Sequence, residues 1–233
     1  MVFLAPPLFG VIVFLWSLRL QESLPTSKRS PLNFSAIGKS LGIVLRNRVF
    51  LKYTLITTLL FTTLSSYVAS SEHIIGELYG RPELFSWIFA GMGLFMALCT
   101  YANSYLSGRF GARRTIRALL IFYTLVAAQL TLITLAFGDP PDMLLFFIGV
   151  TLIMALNLAI EPNSSALALE PLGAVAGMAS AVYGTIFFAF GSTVGAIISD
   201  LMSIRVLPLV ISYLVLGICA LVLALSDRRK TGS

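Results

Sequence analysis

Apolar residues in this chain come in seven long runs, over 2–18, 49–71, 84–107, 115–137, 143–160, 172–199 and 206–226, separated by short polar stretches. About 20 consecutive apolar residues cross the ~30 Å hydrocarbon core of a bilayer as a helix. Inside lipid every backbone N–H and C=O must be bonded within the structure, and a helix does this segment by segment. The pattern therefore predicts an all-α integral membrane protein. It places a transmembrane helix over 1–18, a linker with an amphipathic piece over 19–48, a six-helix transmembrane bundle over 49–226 and a tail over 227–233.

The run over 172–199 carries no charge and would extend roughly 40 Å as a helix. Gly173, Gly177, Ser180, Gly184, Gly191, Gly195 and Ser199 fall on one side of its helical projection, while Ile186, Phe187, Phe190, Ile197 and Ile198 fill much of the rest. Glycine is a poor helix former in water, but in lipid small residues let two backbones approach closely. This is a helix-packing seam, read either as static packing or as a track along which helices slide.

The run over 49–71 is rich in hydroxyls. Thr54, Thr58, Thr62 and Ser65 form one stripe at helical spacing, and Thr63, Tyr67 and Ser70 lie opposite. Each hydroxyl can bond back to its own helix, but two polar faces suggest that one lines an aqueous cavity. The run over 143–160 ends in Glu161-Pro162-Asn163, after which apolar residues resume as far as Glu170-Pro171. The spacing predicts a helix that continues past Pro162 with a kink. Glu161 and Asn163 then sit at or just inside an interface, where an ionisable residue is a functional candidate unless it snorkels to water. His73, beside Glu72 in the connection over 72–83, reads as a solvated histidine, with proton sensing as the sharper alternative.

Composition agrees with the runs: 58% of the residues are hydrophobic and 11% charged, against roughly 25% charged in soluble domains. The net charge of +6 points to topology rather than to nucleic acid. Threading the runs back and forth leaves only Arg81 and Arg205 on one side. The linker cations (Arg19, Lys28, Arg29, Lys39, Arg46, Arg48 and Lys52), the loop arginines 109, 113, 114 and 117, and Arg228, Arg229 and Lys230 share the other. By the positive-inside rule that side is cytoplasmic. Within the linker, Phe34, Ile37, Leu41, Val44 and Leu45 share a face, which fits either a helix lying on the cytoplasmic leaflet or a solvated connection. Cys99 and Cys219 lie inside apolar runs, so neither a disulfide framework nor a thiolate metal site is supported, and no metal or cofactor is expected. There is no His-Glu-x-x-His, no pair of intramembrane aspartates and no Gly-x-Ser-x-Gly at a membrane-accessible position, so an enzyme is not expected.

Three stretches carry a family resemblance. The first is 67–71 (YVASS), followed by Glu77-Leu-Tyr-Gly80 and Glu83-Leu-Phe85. The second is Asn103 with 106–114 (LSGRFGARR). The third, and most specific, is Pro162-Asn163 with 166–171 (ALALEP) and 176–181 (AGMASA). Together they resemble the C-terminal half of a major facilitator superfamily transporter, in the bicyclomycin-resistance branch of drug/proton antiporters. The first run resembles helix six, and the remainder helices seven to twelve. Arg109, Gly111, Arg113 and Arg114 resemble the second, degenerate copy of that family's cytoplasmic loop motif. The chain departs from the family at Glu161, where a glycine is usual, at Glu72, where a proline is usual, and at Met92, where an amide is usual.

The resemblance implies export of drug-like small organic molecules coupled to proton influx, from a multi-pass protein of the inner membrane with a cytoplasmic C-terminus. Its partners would be the lipid bilayer, protons, a small amphipathic substrate and a second bundle, either a missing N-terminal six-helix half or a second copy. Candidates to line the substrate cavity are Thr58, Thr62, Tyr67, Ser70, Tyr183 and Phe187. Glu161, Asn163 and Glu170 are candidates for coupling or gating, and Gly177, Ser180, Gly184, Gly191 and Gly195 for the seam. A bundle alone leaves a half-cavity facing lipid, so the chain is expected to be a fragment or truncated product, or to pair with another half. The alternatives are a truncated non-transporting or accessory membrane protein and, lower, a membrane-embedded enzyme. No nucleotide-binding loop is present, so an ion gradient is the expected driving force.

Overall fold

A computed structural model describes residues 4–20, 33–202 and 204–226. The tail over 227–233, with Arg228, Arg229 and Lys230, and the linker segment 21–32, with Lys28 and Arg29, lie outside the described residues. The chain divides into two compact units, Met1–Ile37 and Gly38–Ser233. The first contains α1 (Ala5–Ser17), an exposed apolar helix with proline in its first turn, where its missing N–H costs nothing. At 13 residues it is about 20 Å long, less than a full crossing.

The second unit is the helical membrane bundle. A short helix, α2 (Phe34–Arg46), begins in the first unit and buries Val44. It is followed by α3 (Arg48–His73), α4 (Phe85–Phe110), α5 (Ala112–Phe137), α6 (Met143–Leu169), α7 (Ala176–Asp200) and α8 (Leu207–Leu225). These last six overlap the apolar runs of the sequence, and among the described residues five helical stretches are long and apolar enough to cross a membrane, one of them the 58-residue Met143–Asp200 that contains both α6 and α7. α6 runs unbroken through Pro162, as the resumption of apolar residues predicts. A 3-10 segment, Glu170–Val175, joins it to α7, with Leu172 out of helical conformation at φ −117°, ψ 23°.

Local chemistry fixes the helix ends. Asn47 caps α3, its Oδ1 accepting from the N–H groups of Val49 and Phe50 at 3.0 Å each, and Asp142 caps α6 through Leu144 and Leu145. Asp139 works across the fold instead, accepting from Val206 N–H at 2.7 Å and Leu207 N–H at 3.4 Å at the start of α8. Gly111 breaks α4 from α5 at φ +80°, ψ 145°, a conformation that a side chain would strain. The other end of α3 loosens into a π-helical segment, Ile74–Leu78. Beyond it Tyr79 donates to the carbonyl of Pro141 at 3.0 Å. Burial, then the nearby charges of Asp142 and Asp139, push that phenol above its ordinary range.

Packing centres on α3, which lies against α6, α7 and α8, while α5 packs on α6 and α8 and α4 chiefly on α6. The core consists of Phe50, Ile56, Leu60, Tyr67, Leu120, Tyr123, Phe146, Ile153 and Tyr213, all at most 3% exposed. Glycine backbone and neighbouring side chains come unusually close between helices. A Cβ at Gly217 on α8 would meet the Tyr123 ring at 2.6 Å, and one at Gly195 on α7 would meet Ser65 at 2.8 Å. Small residues thus let helices close up where lipid supplies no hydrophobic drive. α4 buries only Met92 and Asn103 and is otherwise apolar and open.

Candidate functional site

The unbroken course of α6 through Pro162 carries Glu161 to a position facing α7. Its Oε1 accepts a hydrogen bond from the Tyr183 hydroxyl at 3.1 Å. Glu161 lies eight residues before the end of α6 and Tyr183 seven after the start of α7, so both are about 10–12 Å in from the α6–α7 connection. Tyr183 stacks on Phe187 with centroids 5.7 Å apart and planes 11° from parallel. Phe61 on α3 extends the series, 4.4 Å from the Phe187 centroid and 5.2 Å edge-on from Phe188. Phe187 and Phe188 complete it at 4.9 Å. Glu161, Phe61, Tyr183 and Phe187 are half-buried, and Phe188 is 59% exposed. The arrangement is a carboxylate at one end of a four-ring aromatic wall, open on one side.

On the opposite side of the same turn of α6, Asn163 is buried and bonded three ways. Its Nδ2 donates to Asn103 Oδ1 at 3.0 Å and to the Ala159 carbonyl at 3.1 Å, and its Oδ1 accepts from the Ser107 hydroxyl at 2.5 Å. Asn103 and Ser107 lie on α4, so this amide cluster ties α4 to the turn that carries Glu161. Deeper in the bundle, Asn157 Nδ2 donates to the Leu60 carbonyl on α3 at 2.6 Å.

The hydroxyl stripes of α3 are housed differently from Tyr183 and Phe187. Thr58 and Thr62 are buried and bond back to the carbonyls of Thr54 and Thr58 at 2.8 and 3.0 Å. Ser70 bonds back to Ser66 at 2.7 Å. Tyr67, also buried, directs its hydroxyl at the Met92 sulfur, 3.2 Å away, and stacks on Phe89. Thr63 pairs with the Tyr123 hydroxyl at 2.9 Å. Thr58, Thr62, Tyr67 and Ser70 are thus buried within the bundle, and of the six cavity candidates Tyr183 and Phe187 stand on the open wall.

The seam on α7 divides in two. At Gly191 an added Cβ would meet the Phe61 ring at 2.6 Å, and at Gly195 the Ser65 side chain and the Ser66 N–H at 2.8–2.9 Å. Nothing lies within 4 Å of such an atom at Gly173, Gly177 or Gly184, and Ser180 is exposed. Glu170 is exposed at the start of the 3-10 segment, and Arg109, Gly111, Arg113 and Arg114 are exposed in the α4–α5 turn. Arg117, one turn into α5, donates from Nε to the Ala224 carbonyl near the end of α8 at 3.2 Å. Phe61 was not legible as a site residue, since nothing in its spacing separates it from a lipid-facing phenylalanine. The Thr63–Tyr123 and Asn157–Leu60 pairs join residues far apart in sequence and leave no local pattern.

Among known proteins the chain is 29% identical over 195 residues to an uncharacterised MFS-type transporter, YdgK, of Bacillus subtilis, a match covering 81% of this chain and 46% of that protein. The chain is similar to major facilitator transporters. It is also 24% identical over 209 residues to a bicyclomycin resistance protein homolog of Haemophilus influenzae, covering 89% of this chain and 51% of that one. The chain spans about half the length of the curated relatives it matches. No family model and no solved structure matches it. Similarity and helix lengths together describe a multi-pass membrane protein that resembles major facilitator transporters.

Proposed function

We propose that this chain is the C-terminal six-helix half of a carrier that exports small amphipathic organic molecules in exchange for protons, seated in the inner membrane with its C-terminus in the cytoplasm. The observation that carries the reading is its similarity, over most of its length, to half of a transporter and half of a resistance protein. The geometry supports it. α4 buries only two side chains and α7 only Ala179, Gly191 and Gly195, so both present broad uncovered faces. Alternating access requires one bundle to rock against another about a site near the midplane, and these faces are where a second bundle would seat.

In this reading Glu161 is the coupling carboxylate, Asn163 with its amide cluster holds the turn that carries it, and Glu170 and the Arg109–Arg114 turn act at the cytoplasmic gate. Residues 19–48 are the linker from the preceding half, with α2 on the leaflet, and 227–233 is a cytoplasmic tail. The open Gly177–Ser180–Gly184 edge is the half of the seam along which the second bundle moves.

The test is uptake into proteoliposomes under an imposed proton gradient, with neutral and cationic amphipathic dyes. The chain is reconstituted at a lipid ratio that keeps it monomeric, and again with an N-terminal six-helix half. Gradient-driven transport is expected only when a second bundle is present. Robust transport by the monomer would refute the half-carrier reading. Absence of transport in both preparations would favour an accessory, non-transporting protein.

A further inference from the structure

α3 changes its helical form at the end remote from the α4–α5 turn. Past His73 the chain widens into the π-helical turn Ile74–Leu78, closed by Tyr79 N–H to the Ile74 carbonyl at 3.0 Å and Arg81 N–H to the Ile75 carbonyl at 2.9 Å. Such turns are rare and recur at functional positions. Across the junction His73 Nδ1 lies 2.8 Å from Glu77 Oε2, tying the last α-helical residue to the fourth residue of the turn. The turn also meets α6. Ile74 and Ile75 are fully buried, Tyr79 donates to the Pro141 carbonyl, and the Tyr79 ring lies 5.8 Å from those of Phe146 and Phe147 on α6. Solvent reaches the pair. The imidazole is 33% and the carboxylate 75% exposed, and both line a cavity of about 970 Å³ with Glu72, Gly76, Phe85 and Ser86. Of the charges nearby, Arg81 pairs with Glu83 at 3.6 Å, Asp139 caps α8 and Asp142 caps α6. Glu72, on α3 itself, shares the cavity; Asp200 ends α7, Arg205 precedes α8, and α4 brings no charge in its first turn.

We propose that His73 and Glu77 form a pH-responsive clasp on the π turn: a proton on His73 turns their contact into an ion pair that holds the turn, and loss of that proton loosens it. Histidine is the side chain whose charge ordinarily changes between pH 5 and 8. When it is charged both ring nitrogens donate. When it is neutral one of them only accepts, and the attraction to a carboxylate falls to a hydrogen bond at most. The turn is therefore held in acid and loosened in alkali. For an exposed pair the effect is modest, roughly two- to fivefold in the opening equilibrium. The clasp rests on the export reading only for the medium it meets. In that reading this end of α3 lies outside, on the side from which protons enter, so an acid exterior holds the outer ends of α3 and α6 together.

The experiment measures amide hydrogen exchange by mass spectrometry in peptides covering 74–84, on the purified full chain in detergent micelles. Wild type and His73→Gln are compared at pH 5.5 and at pH 8, so that intrinsic exchange rates cancel at each pH. At pH 5.5 wild type is expected to exchange roughly two- to fivefold more slowly than His73→Gln, and at pH 8 the two should agree. Glu77→Gln should behave as His73→Gln does. His73→Lys, which keeps a cation at both pH values, should stay protected at both. Should a variant fail to fold, wild type alone decides: with intrinsic rates divided out, its turn must lose protection between pH 5.5 and pH 8. Equal exchange of wild type and His73→Gln at pH 5.5 would overturn the clasp. So would a difference of the same size at pH 8, which marks a packing role, or full acid protection in Glu77→Gln. Because neither gradient nor substrate is involved, a failure here leaves proton-driven export standing, and a failure of export leaves the clasp standing.

Discussion

Asn163 on α6 and Asn103 on α4 share a buried hydrogen bond of 3.0 Å between residues 60 positions apart in the chain. The same Asn163 side chain accepts from Ser107, so replacing it takes that partner from buried Asn103 and half-buried Ser107 on α4. Its neighbour Ser164 presents the opposite case, a fully buried hydroxyl with no hydrogen-bond partner. Asn163→Leu should destabilise the bundle by about 1–3 kcal/mol, the cost of orphaning buried groups. Ser164→Ala should be neutral or stabilising. Equilibrium unfolding in mixed micelles checks both, and equal losses would contradict the assignment.

Gly195→Ala and Gly184→Ala test the division of the seam. The first places a Cβ 2.8–2.9 Å from Ser65 and the backbone N of Ser66, which must move apart. Overpacking of this kind costs about 1–3 kcal/mol. The second meets nothing within 4 Å and should leave the folded chain unaffected. A loss of stability in Gly184→Ala matching that in Gly195→Ala would show one continuous seam within the bundle.

Asp139 ties the α5–α6 connection to the first turn of α8 by accepting from Val206 and Leu207. Asp139→Ala removes this cap and should cost roughly 0.5–2 kcal/mol. Faster amide exchange at the start of α8 is the expected signature, and Asp139→Asn, which keeps an acceptor, should recover much of it. Unchanged exchange in Asp139→Ala would mean that Pro208 and packing alone start the helix.

The spans were legible because lipid imposes a length and a polarity that few other environments do. Even the passage of α6 through Pro162 could be read, since Ala166, Leu167 and Leu169 restore apolar character beyond it. What each span faces was not legible. The two hydroxyl stripes of α3 look alike in sequence whether they line water or back-bond inside a bundle, and here Thr58, Thr62 and Ser70 do the second. The seam was visible as a face, but only neighbouring helices divide it into a closed end at Gly191 and Gly195 and an open end at Gly177 and Gly184. Gly217, which admits the Tyr123 ring, is a lone glycine without a pattern. Glu161 stood out as an ionisable residue near a helix end, yet its partner Tyr183 is 22 residues away across a turn, beyond what periodicity can pair.

The account rests on how the spans are threaded, and sidedness labelling tests that most directly. With Cys99 and Cys219 first replaced by serine, single cysteines at Arg46, Arg81, Arg113, Arg205 and Ser226 are exposed to a membrane-impermeant maleimide in intact cells and after permeabilisation. Positions 81 and 205 should react in intact cells, and 46, 113 and 226 only once the membrane is opened. Reaction of 113 and 226 from opposite sides would contradict the six-helix threading and, with it, the reading of this chain as half a carrier.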